Sequence, residues 1–324
     1  MPTITYQGKA YPGQPDETVL DTLRRNGIEV PFSCRAGACQ TCMLHCLNGE
    51  VTERSQKELK PALKSLNYFL ACQCQPEQDI EVALPDDEDV YVSARCVEKQ
   101  QLSPTVWRFR LETAVPMFYH AGQFVNLKNE AGWVRSYSLA SLPAEDELLE
   151  IQVRRMPDGQ MSHWLIDDFE VGMHIDLEGP NGHCIYTDGK PKAPILMVGT
   201  GTGLAPLIGI LRDALHQGHA GPIHLYHGAR SKDELYQHTM LNELAQQYSH
   251  LHYHASVSGE EGENEIQTGR AADIAISDHP DLKQWQIFLC GAPEMVREMR
   301  KNAFLAGASM PNISADAFTT PDHK

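Results

Sequence analysis

The chain has 324 residues with 27 Lys+Arg against 43 Asp+Glu, a formal charge of −16. A length beyond what one hydrophobic core supports implies two or three folding units, and the anionic excess argues against nucleic acid or anionic membrane as partner and favours a protein with a basic docking face. No apolar run approaches the ~20 residues needed to span a bilayer, and the opening MPTITYQGKAYPG has neither a basic nor an apolar leader segment, so neither membrane insertion nor secretion is expected and the cytoplasm is the expected compartment.

In chain order, ITYQGKAY reads as two short strands about Gly8 and Lys9. DETVLDTLRRNG reads as a helix capped by Asp16 and ended by Gly27, with Val19, Leu20 and Leu23 on one face. A hairpin followed by a helix suggests a small α+β unit. Next come Cys34, Cys39, Cys42 and Cys72 in the spacing C-x4-C-x2-C-x29-C, whose first three members match the plant-type [2Fe-2S] pattern. The small residues Ala36, Gly37 and Ala38 let backbone N–H groups reach the sulfurs. A structural zinc site fits this uneven spacing less well than paired C-x2-C motifs would. Cys46 and Cys74 stand close enough to Cys42 and Cys72 that spacing alone leaves the fourth ligand open. With Cys96 and Cys184 they read most simply as buried thiols.

Pro85 and the run Asp86, Asp87, Glu88 and Asp89 read as a linker, with a domain boundary near residue 90. From Val92 to about Tyr186 short alternating strands predict a small antiparallel barrel. Within it Arg135, Ser136, Tyr137 and Ser138 offer a guanidinium fork, an aromatic face and hydroxyls, the groups a flavin nucleotide requires. GQMSHWL, with Gly159, Met161 and Ser162, reads as the start of a helix whose first amides suit a pyrophosphate. From Pro194 onward strands alternate with helices, predicting a parallel sheet with crossover helices. The loop Gly199, Thr200, Gly201, Thr202 and Gly203 opens the first of those helices and lets a dinucleotide pyrophosphate approach. Its spacing is GxGxG, not the GxGxxG of the Rossmann fingerprint. FLCGAPEMV places Cys290, Gly291 and Pro293 at the end of a later strand, and ISADAF places Asp316 and Phe318 near the C-terminus.

On these motifs, in this order and over essentially its whole length, the chain resembles the ferredoxin-NADP reductase superfamily, in the arrangement of the NADH-dependent reductase components of bacterial ring-hydroxylating dioxygenases. The resemblance implies a multidomain α+β and α/β protein: an N-terminal β-grasp ferredoxin domain (1–90), an FAD-binding antiparallel β-barrel domain (91–190) and a C-terminal doubly wound parallel-sheet NAD-binding domain (191–324). It favours Cys72 as fourth cluster ligand. It implies that Arg135, Tyr137, Ser138 and Ser162 contact FAD, with Ser138 near the reactive N5, and that GTGTG is the nucleotide loop. It also implies that Cys290 lies beside the nicotinamide C4, with Asp316 as an acidic residue and Phe318 as a flavin lid. Plant members end at that aromatic, whereas this chain continues from Thr319 to Lys324.

NADPH-specific relatives carry an arginine where Gly259 stands here. Glu260, Glu261, Glu263 and Glu265 follow it, which favours NADH, with Arg230 as the opposing cation. A hydride carries two electrons and a [2Fe-2S] cluster takes one, so a flavin between them is required. The implied function is electron transfer from NADH to a terminal oxygenase, hydroxylase or desaturase, or to an intermediate ferredoxin. Reductases of deoxysugar biosynthesis share the domain order and give the alternative of a dehydratase-type acceptor. A monomer is expected.

Overall fold

The computed structural model describes residues 2–187 and 189–319. Its first unit contains β1 (Thr3–Tyr6), β2 (Lys9–Pro12), α1 (Val19–Arg25), β3 (Met43–Asn48), α2 (Glu53–Gln56), α3 (Pro61–Ser65), β4 (Tyr68–Leu70) and β5 (Ile80–Ala83). The sheet order is β2-β1-β5-β3-β4, with β1 and β5 parallel. α1 buries Val19, Leu20 and Leu23 as its periodicity requires, but its cap is Thr18, not Asp16. The Thr18 side chain accepts from the Asp21 N–H and the Asp21 carboxylate returns the bond, a reciprocal box that Asp16, two residues earlier, cannot close. The acidic stretch is also more ordered than a linker. Asp86 caps a one-turn helix, α4 (Asp87–Val90); Tyr68 donates to Asp89 at 3.1 Å, and Asp87 pairs with Lys128.

The second unit is a six-stranded antiparallel sheet of β6 (Val92–Gln101), β7 (Val106–Thr113), β8 (Phe124–Lys128), β9 (Val134–Ser138), β10 (Leu149–Arg154) and β11 (His174–Asn181), with α5 (Gln160–Asp167). Its order is β10-β7-β6-β11-β8-β9, and a bridge from Leu139 to Ile151 links the β9 end back to β10. Alternation along β8 sends Val125 and Leu127 into the barrel core and leaves Phe124, Asn126 and Lys128 on the outer face.

The third unit has six parallel strands, β12 (Ile195–Thr200), β13 (Ile223–Ala229), β14 (Leu251–Val257), β15 (Ile266–Thr268), β16 (Gln286–Gly291) and β17 (Ile313–Ala317). They lie in the order β15-β14-β13-β12-β16-β17. Helices α6 (Leu204–His216) and α7 (His238–Gln247) cover one face, and α8 (Ala271–Asp278) and α9 (Pro293–Leu305) the other. Strand order reverses between β12 and β16, and in such sheets the crevice beyond the carboxyl ends at that point is where ligands bind.

The three units are joined unequally. Val106, Cys184 and Tyr186 of the barrel unit belong to the same apolar cluster as α6 and β12. Among the described residues the apolar cluster of the first unit draws on nothing beyond Val90. Across that seam run polar bonds: Lys60 Nζ to the Gly179 carbonyl (2.6 Å), Asn126 Nδ2 to the Cys39 carbonyl (3.0 Å) and Ser33 Oγ to the Thr319 carbonyl (2.8 Å).

Candidate redox site

The cysteine loop is curled by three residues in the left-handed region, Arg35 (φ 52°), Gly37 (φ 82°) and Gln40 (φ 60°). That curl turns amides inward. The N–H groups of Ala36 and Cys39 lie 3.3 Å from Cys34 Sγ, the Cys34 N–H lies 3.4 Å from Cys39 Sγ, and the Gly37 N–H serves Cys72. Gln73 lies over the loop, its amide donating to Cys72 Sγ at 3.4 Å and to the Arg35 carbonyl at 3.1 Å. A side chain on Gly37 would meet Gln73 Cγ at 3.0 Å. The four sulfurs approach in two pairs, Cys34 with Cys39 and Cys42 with Cys72. In each pair the thiol that accepts the hydrogen bond from its neighbour, Cys34 or Cys72, is pushed down, and the other is pushed up. Among the described residues no three His, Cys, Asp or Glu side chains are placed to hold a single ion. Two pairs of thiols under inward amides fit a two-iron cluster with two protein sulfurs per iron, not one tetrahedral zinc.

Beside the loop, β9 presents Arg135, Ser136, Tyr137 and Ser138. Among the described residues Arg135 bonds only the Val134 carbonyl (2.7 Å), and no carboxylate pairs with it. Burial lowers its pKa. A desolvated guanidinium without a counter-anion fits a phosphate. Burial also raises the Tyr137 phenol. Gly159 is the N-cap of α5, and Gly159, Met161 and Ser162 line the same cavity. The Ser162 hydroxyl is already engaged, accepting from the Met156 N–H (3.1 Å) and donating to the Gly159 carbonyl (2.8 Å), so it shapes the turn that presents the helix N-terminus. Past Gly159 a recess of about 330 Å³ continues between Trp133, His163 and Trp164, room beyond an isoalloxazine and ribityl phosphate that fits the adenosine half of FAD.

At the switch point Thr200, Gly201 and Thr202 line the cavity, whereas Gly199 and Gly203 do not. The two outer glycines are there for packing: a Cβ on Gly203 would stand 2.1 Å from the Cys290 carbonyl oxygen, and one on Gly199 2.7 Å from Leu207 Cδ1. Cys290 is fully buried behind the wall, its Sγ 3.8 Å from Cys184 Sγ; Gly291 and Pro293 form the wall itself. β17 brings Asp316 abreast of Cys290. Asp316 lines the cavity and accepts from Ser138 Oγ at 2.9 Å, and its carboxyl is pushed up to about 6 by burial. The Phe318 N–H donates to the Gly291 carbonyl (2.8 Å), holding its ring at the cavity. Thr320 to Lys324, the rest of the extension, lie outside the described residues. The acidic stretch after β14 is not at the cavity. Glu260 accepts from the Lys232 N–H and Glu263 pairs with the Lys232 ammonium, while Arg230, Ser258 and Arg270 form that part of the wall.

Walls from all three units thus enclose one cavity of about 830 Å³, running from Cys34 and Cys39 past Arg135–Ser138 to Thr200–Thr202 and Gly291. Cys42 and Cys72 lie outside its lining. Sequence reasoning missed Ser33, Gln73, Asn126, Arg154 and Glu178. Only Asn126 left a trace, an amide on a strand whose alternate residues are apolar.

Family models describe residues 3–77 as a 2Fe-2S iron-sulfur cluster binding domain, 93–186 as an oxidoreductase FAD-binding domain and 197–301 as an oxidoreductase NAD-binding domain. The chain is 32% identical over 307 residues, 93% of each chain, to the ferredoxin–NAD(P)(+) reductase component of the naphthalene 1,2-dioxygenase/salicylate 5-hydroxylase systems of Ralstonia sp.. It is 33% identical over 321 residues, 97% of each chain, to the corresponding reductase component of the naphthalene 1,2-dioxygenase system of Pseudomonas putida. Among solved structures the Amycolatopsis cytochrome P450 reductase GcoB is 30% identical with a TM-score of 0.71, covering 98% of this chain and 99% of that one. With cysteines, flavin strand and nucleotide loop converging on one cavity, the chain belongs to the ferredoxin-NADP reductase superfamily, in the family of ferredoxin–NAD(P)(+) reductase components that carry an N-terminal [2Fe-2S] ferredoxin domain ahead of their FAD- and NAD-binding domains.

Proposed function

We propose that this protein delivers electrons from NADH, through FAD and a [2Fe-2S] cluster, to a terminal oxygenase, hydroxylase or desaturase. The observation that carries this reading is the single cavity walled by all three units, which lets a nicotinamide, a flavin and a cluster-ligand loop meet within one enclosure. The relatives above are named as reductase components of oxygenase systems. When bound, FAD supplies the change from two-electron to one-electron transfer and the cluster supplies one-electron transfer. The chain's own residues do the rest. Arg135 takes a flavin phosphate and the α5 N-terminus the pyrophosphate. Ser138 Oγ and Asp316 Oδ2 hold a proton at the inner wall, and the Cys290–Gly291 turn with Thr200–Thr202 orients the nicotinamide end. Inward amides of residues 36–39 favour the more negative state of the loop.

We further propose that the working units are residues 1–90, 91–190 and 191–324, that the protein acts as a monomer, and that it works in the cytoplasm. No helix among the described residues is long and apolar enough to cross a membrane. The function is tested by anaerobic mixing with NADH, followed by addition of a purified oxygenase. Flavin bleaching, then cluster bleaching, then oxidation of both by the oxygenase are expected. A protein that reduces its flavin but never its cluster would falsify the reading.

A further inference from the structure

Three polar side chains lie abreast on the outside of the barrel. Asn126 in β8 is in register with Ser136 in β9 on one side and with Glu178 in β11 on the other. Outer strand faces are ordinarily wet, yet Asn126 is only 2% exposed and Glu178 3%. What covers them is the first unit, which bonds to this face through Cys39 and Lys60.

Both N–H donors of the Asn126 amide and its oxygen are engaged. Its Oδ1 accepts from Ser136 Oγ at 2.7 Å, and its Nδ2 donates to Glu178 Oε2 at 2.8 Å and to the Cys39 carbonyl at 3.0 Å. A side-chain amide has two N–H donors, so with both engaged its orientation is fixed. Glu178 Oε2 also accepts from Asn181 Nδ2 at 2.8 Å, while Oε1 has no partner among the described residues. Burial raises the pKa of this carboxyl, with Lys60 acting against the shift, and Tyr91 is the other ionisable group it influences. A buried carboxyl with an idle oxygen costs stability, so its presence calls for another role. The one it performs is to receive the N–H that turns the other toward Cys39.

We propose that Asn126, oriented by Glu178, is the positioning residue that seats the cluster-ligand loop on the flavin strand and thereby sets the rate at which an electron crosses between them. The contact joins Cys39, a ligand of the cluster, to Ser136, whose neighbours Arg135 and Tyr137 line the flavin wall. This rests on the reading that electrons cross here, and the experiment separates the two.

The test uses the full-length holoprotein with three substitutions. Asn126→Leu removes both donors at similar volume. Asn126→Asp keeps the shape but sets an acceptor against the Cys39 carbonyl. Glu178→Gln keeps an oxygen for the Asn126 and Asn181 N–H groups. After mixing with NADH, flavin reduction is expected at the wild-type rate in all three. Cluster reduction should slow several-fold in both Asn126 variants, as the separation of flavin strand and cluster loop loosens, and stay close to wild type in Glu178→Gln. In the oxidised proteins without NADH, hydrogen exchange of amides 36–42 should quicken in both Asn126 variants only. Wild-type cluster reduction in both Asn126 variants, with iron, sulfide and flavin content intact, overturns the proposal even if exchange quickens, because the contact is then merely structural. A slowing in Glu178→Gln as large as in Asn126→Leu overturns the orienting role. If the wild-type protein itself passes no electron from flavin to cluster, the function proposed above fails, while the exchange measurement still decides whether Asn126 seats the loop.

Discussion

Ser138 donates to Asp316 at 2.9 Å in the cavity wall, and burial raises the carboxyl to about 6. A carboxyl whose folded value lies above its ordinary 3.8 keeps its proton longer in the folded chain. The stability it contributes is therefore complete at low pH and is lost as pH rises through about 6. Asp316→Asn should abolish that slope and gain about 1–3 kcal/mol at neutral pH, as read by urea melts from acid to neutral. If Asp316 holds the proton at the flavin wall, the same variant should lose the inflection near pH 6 in NADH-driven flavin reduction. Coenzyme choice is the second residue-level matter. Of the four glutamates that argue for NADH in the sequence, Glu260 and Glu263 are occupied with Lys232 and none lines the cavity, where Arg230 and Arg270 stand instead. Arg230→Ala should therefore lower kcat/KM for NADPH by about tenfold, the loss of one charge-assisted contact, and leave that for NADH nearly unchanged; equal losses for both coenzymes would contradict the assignment. This misreading of the acidic stretch has a plain cause. Charge along a sequence says which residues are present, and it cannot say that a lysine thirty residues upstream will claim them.

The turn between β12 and α6 shows what a glycine does for an element. At Gly203 a Cβ would sit 2.1 Å from the Cys290 carbonyl oxygen, so the residue is absent of side chain for the sake of β16, not of the coenzyme. Gly203→Ala should cost about 1–3 kcal/mol by overpacking and raise KM for NADH through displacement of Thr200–Thr202, while bound flavin keeps its absorbance. Steady-state kinetics and a thermal melt check both. Elements were legible where period and punctuation agreed: the hairpin at Gly8, the strand and helix pairs from Pro194 onward, and the strands of the barrel. α1 was legible but its cap was not, since Asp16 and Thr18 are both good capping residues and only the reciprocal bond from Asp21 decides between them. The acidic helix α4 was hidden because a charge run reads as solvated until Tyr68 and Lys128 supply partners from distant segments. The candidate site was legible as motifs, and its lining was not. Whether a glycine faces ligand or strand, and whether Cys290 reaches the cavity, depend on packing across two units.

At the scale of the whole molecule, net charge does not describe every face. Around the cysteine loop of this anionic chain, Arg24 and Arg35 stand 4.1 and 5.3 Å from the Phe32 ring, Arg35 pairs with Asp21 and Arg54 bonds Gln73, so cations gather at this surface despite the negative total. The joints between units matter more for behaviour. Barrel and nucleotide units share an apolar cluster, whereas the first unit is fastened by polar bonds. All four tryptophans, Trp107, Trp133, Trp164 and Trp285, lie beyond residue 90. In a denaturant titration the visible absorbance of the cluster should therefore vanish before tryptophan emission shifts, giving two midpoints; coincident midpoints would mean that the seam is as cohesive as a core. A join made of hydrogen bonds can be remade by matching a handful of donors and acceptors, with no side-chain volumes to refit. The cluster-bearing segment is thereby built like an exchangeable cartridge: a lineage or an engineer can graft a different electron outlet onto the same nucleotide-reading engine and keep the engine's interior untouched.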